Sequence, residues 1–500
     1  MSEHSITVSD LLPYIGEFGL FQCVQQVFLS FILVALTMPI YVIYFASLDS
    51  PWRCVSNSTI CNLNGTFSSG ETHYQARCDM PRDEWEFTQP KQYSVVTEFD
   101  LYCQSSWKTQ LTVSSFYLGW FVGGFVVGGL ADRFGRRKVL LVCTAWHIFG
   151  NFLCAFSPNI WFLICVRFFL GFSIPGGSLQ ASILIAEMLG SKHRAIASSI
   201  FWQFYNVASL LLDLTAYNVR EWKMLFILTS VPYVFVIGFF PFLAESMQWL
   251  HVKGKNKEAM MIAKKIAKYN KKSIPKRMNL SQVEKSTSFK NPTPIDLFRT
   301  KQNACKIATL GYAWMALNMI YYALSLASGD FGGDLYMNFL LVSLMEVPAN
   351  IISGFTMKWI GRKKTVVPSC FLACVASLLL AFIPSKGDWA VSRVLVGMIG
   401  KLFASLGYNS IYLWSAELYP TRIRSTATSF MQALAPIGGT SAPWIASYLK
   451  ELHPSAPFAT MGAITFLSGV LLLRLPETKD AVQKEISPDD QELMDTCNEG

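Results

Sequence analysis

Asp132-Arg133-Phe134-Gly135-Arg136-Arg137-Lys138 lies between two apolar stretches, and Gly361-Arg362-Lys363-Lys364 lies between two others. The echo continues in register. An arginine follows each glycine by 32 positions, Arg167 and Arg393, and each opens an R-x3-G with Gly171 and Gly397. Each half then gives E-x6-R, from Glu187 to Arg194 and from Glu417 to Arg424. The copies stand 226 residues apart at the glycine (135 to 361) and 230 at the glutamate (187 to 417). That period is far longer than a solenoid repeat. It fits a membrane protein made of two related halves, the layout of a carrier.

Composition agrees. Of the 500 residues, 52% are apolar and 15% charged, against roughly a quarter charged in an ordinary globular protein. Mean hydropathy is +0.33. Such a chain cannot cover its surface with charge, so lipid is its solvent over much of its area. The net charge of +9 is unevenly placed. Residues 244–306 hold 15 Lys/Arg and 4 Asp/Glu, while residues 47–108 hold 5 and 8. Basic loops stay in the cytoplasm, so the excess charge reports topology and not a nucleic-acid partner. Residues 251–277 could also touch anionic lipid; a solvated face is the reading preferred here.

Apolar segments recur at 20–43, 110–130, 139–156, 160–185, 197–217, 224–243, 306–327, 335–357, 366–384, 391–414, 426–447 and 458–475. Each approaches the roughly 20 residues that cross hydrocarbon as a helix. The expected fold is an all-α membrane protein of twelve spans. Residues 1–19 form a cytoplasmic N-terminus, 20–243 a first six-helix half, 244–305 a basic cytoplasmic linker, 306–475 a second six-helix half, and 476–500 a cytoplasmic tail. Residues 1–19 are polar and no A-x-A-like site follows the first apolar run, so the first span is expected to act as its own insertion signal.

The loop 47–108 falls outside under this topology. It holds two glycosylation sequons, at Asn57 and Asn64, and four cysteines, Cys54, Cys61, Cys78 and Cys103. Four cysteines in an oxidising compartment imply two disulfides in one of three pairings. A third sequon, at Asn279, lies in the cytoplasmic linker and should stay bare. No CxxC or HExxH is present, no metal site or other cofactor is expected, and no GxxxxGK[ST] provides for ATP.

The six-plus-six layout, the doubled GRR-like turn and Glu417-Leu418-Tyr419-Pro420-Thr421 resemble the major facilitator superfamily. With the long outer loop, they resemble its organic cation, organic anion and carnitine transporter family over residues 10–478. The resemblance implies a multi-pass plasma-membrane carrier of small organic ions, working by alternating access between two halves, with the bilayer and a small ion as its partners. This chain departs from the family pattern in places. Ala244-Glu245-Ser246-Met247-Gln248-Trp249-Leu250 replaces Pro-Glu-Ser-Pro-Arg-Trp-Leu. Lys358 stands where an acid is usual before the second turn, so the second half is expected to lack that clamp. Pro436 precedes Ile437-Gly438-Gly439 where cation carriers often place Asp, and Ser178 replaces an aromatic.

Charges inside spans need an explanation. Glu346, two residues before Pro348, is read as an anionic docking point for a cation or zwitterion, or as one end of a salt bridge to Lys401. Lys401 would bind a substrate carboxylate or neutralise Glu346. Arg167 and Arg393 are read as snorkelling or bonding to neighbouring carbonyls in preference to touching substrate. Trp314 and Tyr321, seven apart on one helix face, match positions that look substrate-facing in the cation branch, and Tyr205 is a further match; an aromatic wall holds ammonium groups by cation–π contact. For each aromatic, core packing is the competing reading. Asp132, Arg136, Arg137, Glu187, Arg194, Arg362, Lys363, Glu417, Arg422 and Arg424 are read as a cytoplasmic gate, Arg136 and Arg137 reaching acids such as Glu187 or Glu417. Rival readings are an organic-anion carrier, a sugar-type carrier of the same superfamily, and a receptor or scaffold that has lost transport. An enzyme is disfavoured because no catalytic constellation is present.

Overall fold

The computed structural model describes residues 4–55, 60–61, 63–69, 71, 73–275, 278–280, 297–384, 389–419 and 421–479. They form two compact units, Met1–Ser286 and Thr287–Gly500. In the first, α1 (Val8–Ile15) precedes α2 (Leu20–Ala46), α3 (Val95–Glu98), α4 (Trp107–Phe134), α5 (Arg136–Ala155), α6 (Ile160–Ile174), α7 (Gln180–Met188), α8 (Ser191–Asn218), α9 (Trp222–Leu228), α10 (Val231–Phe239), α11 (Met247–Val252) and α12 (Asn256–Tyr269). The second holds α13 (Lys301–Leu326), α14 (Leu335–Leu344), α15 (Glu346–Trp359), α16 (Lys363–Phe382), α17 (Ala390–Glu417), α18 (Thr421–Leu434), α19 (Pro436–Leu452) and α20 (Ala456–Leu472).

Among the described residues, eight helical segments are long and apolar enough to cross a membrane. The other four expected spans fall on α8, on α9 with α10, on α18 with α19, and on α20. Several spans are interrupted at or near prolines. The wide turn at Pro175–Leu179 separates α6 from α7, Met345 separates α14 from α15 two residues before Val347-Pro348, and Ala435-Pro436 separates α18 from α19. Proline lacks an N–H and crowds the preceding turn, so the carbonyls it frees must find partners within the protein.

Small residues set the closest helix contact. Gly171 of α6 lies against the Phe116 carbonyl of α4, and Gly119 of α4 against the Phe168 carbonyl of α6, with no room for a Cβ at either. Close backbone approach at glycine is how helices pack where the solvent is as apolar as the side chains. Arg167, one turn before Gly171, donates to the carbonyls of Thr112 (2.9 Å) and Pro39 (3.3 Å) and is fully buried. In the second unit Arg393 donates to the carbonyls of Leu380 and Ile383, while Gly397 faces the Phe331 ring instead of a backbone.

The loop between α2 and α4 is a small folded module. β2 (Trp52–Cys54) pairs antiparallel with β3 (Thr66–Phe67) and β4 (Trp85–Phe87). Buried Trp52, Tyr74 and Trp85 form its core. The disulfides are Cys54–Cys61 and Cys78–Cys103. Asn64 is exposed; Asn57 lies outside the described residues. At the module's end Glu98 accepts from the Trp222 indole (2.7 Å) and Lys223 (2.5 Å) at the start of α9, which fastens the loop to its own half.

At the opposite end, α11 and α12 fold onto the first unit. β1 (His4–Ile6) pairs parallel with β5 (Met278–Leu280). The Asn270 amide donates to the Ile15 carbonyl and the Gln22 side chain at 2.8 Å each, and its oxygen accepts from Phe21 N at 3.0 Å, capping α2.

Candidate functional site

Two kinds of charged cluster stand out. The first is at the GRR turns. Gly135 (φ 109°) and Gly361 (φ 118°) adopt a conformation that L side chains avoid, which turns α4 into α5 and α15 into α16. In the first unit Arg136 lies 3.4 Å from Asp132 and 3.6 Å from Glu187. Ser246 donates to Glu187, Glu245 accepts from Arg137 N (3.0 Å), and the Trp249 indole donates to the Asp132 carbonyl (2.9 Å). In the second unit Arg362 bonds Glu417 through Nη2 (2.8 Å) and Nε (3.2 Å), and Thr478 donates to the other Glu417 oxygen. Glu477 accepts from Arg362 N (2.8 Å) and Lys364 N (3.4 Å), and Lys363 donates to the Leu473 carbonyl (2.7 Å). Arg194 and Arg424 each donate back to a carbonyl five residues earlier, Leu189 and Tyr419. The Arg422 side chain lies outside the described residues.

These contacts correct one expectation. Lys358 does not leave the second half without a clamp, because Arg362 takes Glu417 directly and needs no acid one turn before it. Every ion pair named here at the turns joins residues of one unit. Glu417 is taken by Arg362, and Arg136 takes Glu187. Sequence reading missed Glu477 and Thr478. Glu245-Ser246 and Glu477-Thr478 repeat at 232 residues (245 to 477), and that signal was available. Glu477 stands outside the spans. Burial alone would raise its carboxyl, but the amides of Lys479, Arg362, Lys364 and Thr478 outweigh burial and hold it below its ordinary range.

The second cluster lies inside the second unit. Lys401 of α17 is fully buried. Its Nζ stands 2.9 Å from Glu346 Oε1 and donates to the Tyr321 carbonyl (3.0 Å) and Ser325 Oγ (2.8 Å). It also lies 3.2 Å from the centroid of the Tyr321 ring. Tyr321 donates its hydroxyl to the same Glu346 oxygen (2.6 Å). Three helices, α13, α15 and α17, thus converge on one ion pair. Its desolvation is costly, so the pair is tolerated only because each charge is met by the other and by hydrogen bonds.

An aromatic wall adjoins it. Tyr321 stacks on Tyr408 (5.6 Å between centroids), and Trp314 meets Tyr408 (5.6 Å) and Tyr412 (4.3 Å) edge-on. Trp314 is fully buried and donates to Ser415 Oγ (3.0 Å), so in this structure it packs in the core of its unit. Asn318 donates to the Tyr408 hydroxyl (3.3 Å) and accepts from Gly439 N (3.1 Å). Tyr408 and Tyr412 went unnoticed in the sequence because aromatic residues recur throughout the spans. In the first unit, Tyr205 of α8 donates to the Tyr41 hydroxyl of α2 (3.0 Å), and Tyr44 and Tyr117 bond each other (2.9 Å).

The profile of the Sugar (and other) transporter family matches residues 67–488. Solute carrier family 22 member 2 from Homo sapiens is 32% identical, covering 95% of this chain and 93% of that one. Organic cation/carnitine transporter 4 from Arabidopsis thaliana is 30% identical, covering 95% and 89%. Among solved structures, the inward-open xylose transporter XylE from E. coli superposes with a TM-score of 0.60 at 13% identity, covering 95% of this chain and 98% of that one. The fold is therefore the major facilitator fold, and the molecule is a multi-pass membrane carrier and not an enzyme. The chain belongs to the Sugar (and other) transporter family and, within it, to solute carrier family 22.

Proposed function

We infer that this carrier moves small organic cations and carnitine-like zwitterions across the plasma membrane by alternating access, and that Glu346, Lys401 and Tyr321 read the substrate. The observation that carries this is the buried ion pair laid across an aromatic face. A zwitterion can divide the pair, its ammonium taking Glu346 and the tyrosine face, its carboxylate taking Lys401. The partners of the broken pair are then replaced one for one, so the substrate does not leave a charge unpaired in a dry site. The relative named organic cation/carnitine transporter supports the same substrate class. Trp314 supports the site from the aromatic core of its own unit, and Tyr205 is a candidate aromatic contact within the first unit. The GRR clusters act as the cytoplasmic gate. Their Arg–Glu pairs are only partly buried, with side chains 15–21% exposed, so water remains at hand for the charges when the contacts release.

Lys401 favours one second reading, an organic-anion carrier in which its ammonium is the substrate contact. Uptake of labelled tetraethylammonium, carnitine and p-aminohippurate at controlled membrane potential, in wild type and Glu346→Gln, separates the two. Cation or carnitine uptake that collapses in the variant is the expected result. Anion uptake indifferent to Glu346 would overturn the reading.

A further inference from the structure

Residues 253–272 hold eight lysines, all exposed, and one acid, Glu258, which Lys255 takes at 3.2 Å. Eight less one leaves a net charge of +7 on this stretch. None of these lysines takes part in the interior pair or in the GRR clusters described above. The build of α12 shows where the charge points. Ala259, Ala263, Ile266 and Ala267 recur every three to four positions and are buried, and α1 and α11 pack against the helix. The opposite face carries Lys257, Met261, Lys264 and Lys268 at i, i+4, i+7 and i+11, with Lys265 beside them, and all five are exposed. Met261 is 63% exposed. Such spacing makes one stripe. α12 therefore buries its apolar stripe within the protein and turns a cationic one outward.

That division selects among partners. A basic amphipathic helix is often captured by its apolar face, in a protein groove or in the acyl layer of a membrane. Here that face is already taken. What is left is charge, and its complement is an anionic surface. The position of the helix says which one. Asn270, the residue after α12, donates to Gln22 (2.8 Å) and accepts from Phe21 N (3.0 Å), both in the first turn of α2. That helix is the first candidate membrane span, beginning at Leu20. The end of α12 is thus fixed at the level where hydrocarbon gives way to headgroups. Lys264 stands six residues before Asn270, about 9 Å along the helix at 1.5 Å per residue, and Lys265 and Lys268 are nearer. The distance is about one Debye length at physiological salt. The cytoplasmic leaflet, the side on which the basic linker is expected, is the anionic one.

We propose that the outward face of α12 is a docking surface for anionic phospholipid headgroups in the leaflet around the start of α2, with Lys257, Lys264, Lys265 and Lys268 as the contacts. The sequence alone favoured a solvated face, because charge in a linker needs no partner; the bonds from Asn270 to α2 are what set these lysines at headgroup level. The surface also bears on the first GRR cluster. α12 follows α11, whose N-cap Ser246 donates to Glu187 and whose Trp249 donates to the Asp132 carbonyl. Lipid bound at α12 therefore steadies the helices that hold that cluster. The inference does not depend on which ion is carried.

The test is lipid retention by the purified full-length carrier, exchanged into neutral detergent with equal phosphatidylcholine and phosphatidylserine, washed, and assayed by mass spectrometry. Wild type should retain phosphatidylserine over phosphatidylcholine by about tenfold, the work of several lysines together. In 1 M NaCl, where the screening length falls to about 3 Å, most of that preference should vanish. Lys264→Gln, Lys265→Gln and Lys268→Gln combined should bring it to about twofold or less, and the same three positions changed to Arg should keep it. Met261→Glu leaves every lysine in place and adds an acid to the centre of the stripe; it should lower the preference about threefold. Equal retention of the two lipids by wild type would overturn the proposal. So would a preference unchanged in the triple Gln variant, which places the anionic lipid elsewhere on the carrier, or one lost alike with Gln and with Arg, which marks a structural role. If the triple Gln variant fails to purify, Met261→Glu decides: an unchanged preference overturns the proposal and a lowered one supports it.

Discussion

At the GRR turn the two halves are near copies. Arg136 meets Glu187 where Arg362 meets Glu417, Ser246 stands where Thr478 stands, and Glu245 receives the turn's amide as Glu477 does. In the interior of the spans the likeness ends. The second half places Lys401 against Glu346 on an aromatic face, whereas the first half has a tyrosine pair, Tyr205 and Tyr41, and a buried Asp213. The difference teaches where to look for specificity: at positions where the repeat fails, not where it holds.

The sharpest way to break that comparison is to unbalance the interior pair. Lys401→Ala should strand Glu346 in a dry site and cost about 3–5 kcal/mol, seen as a large fall in Tm of the detergent-purified carrier. Replacing both partners by apolar residues should recover much of the Tm and no transport. A Lys401→Ala protein as stable as wild type would show that the pair is not what holds these helices.

Next in size is the repeated glycine. Gly171 touches a backbone carbonyl that cannot move, and Gly397 a ring that can. Gly171→Ala should cost about 1–3 kcal/mol and lower surface expression, and Gly397→Ala clearly less. Equal effects would mean that both contacts relax alike.

Smaller still is the contrast at the turns. Arg362 holds one acid by two nitrogens at 2.8 and 3.2 Å, while Arg136 spreads over two acids at 3.4 and 3.6 Å. Close two-nitrogen contact is the stronger form. Arg362→Ala should therefore perturb Tm and uptake more than Arg136→Ala, by about 1 kcal/mol. The reverse order would sink the claim that the second half is the better clamped.

The smallest effect concerns acid. Because Glu477 is held below its ordinary range in the folded protein, it stabilises the turn fully above the unfolded carboxylate value, about 4.3. That stabilisation is lost as pH falls through the lower folded value. The Tm gap between wild type and Glu477→Gln should accordingly narrow on acidification below about pH 4. A gap that widens would contradict this sign.

Much of this was legible beforehand, for physical reasons that differ by region. The spans were readable because lipid demands long apolar runs, and the doubled turn because a tight turn needs glycine and its clamp needs charge. For Arg167 and Arg393 the sequence left snorkelling and carbonyl bonding open, and the structure shows the carbonyls. The meeting of Glu346, Lys401 and Tyr321 could be suggested but not measured, since it depends on three helices distant in sequence. Tyr408 and Tyr412 were invisible because aromatics abound in every span. Asp213 was overlooked although its signal was plain, a lone acid among leucines. The disulfide pairing stayed open among three choices in the sequence and is Cys54–Cys61 with Cys78–Cys103 in the structure.

The most direct test of the central claim is a charge swap. Glu346→Lys combined with Lys401→Glu keeps an ion pair in the second half but exchanges its ends. If the ends read the substrate, the swapped carrier should reach the surface with near-normal Tm and take up neither tetraethylammonium nor carnitine. Uptake restored to near the wild-type level would show that the pair only binds helices together, and that the substrate is read elsewhere.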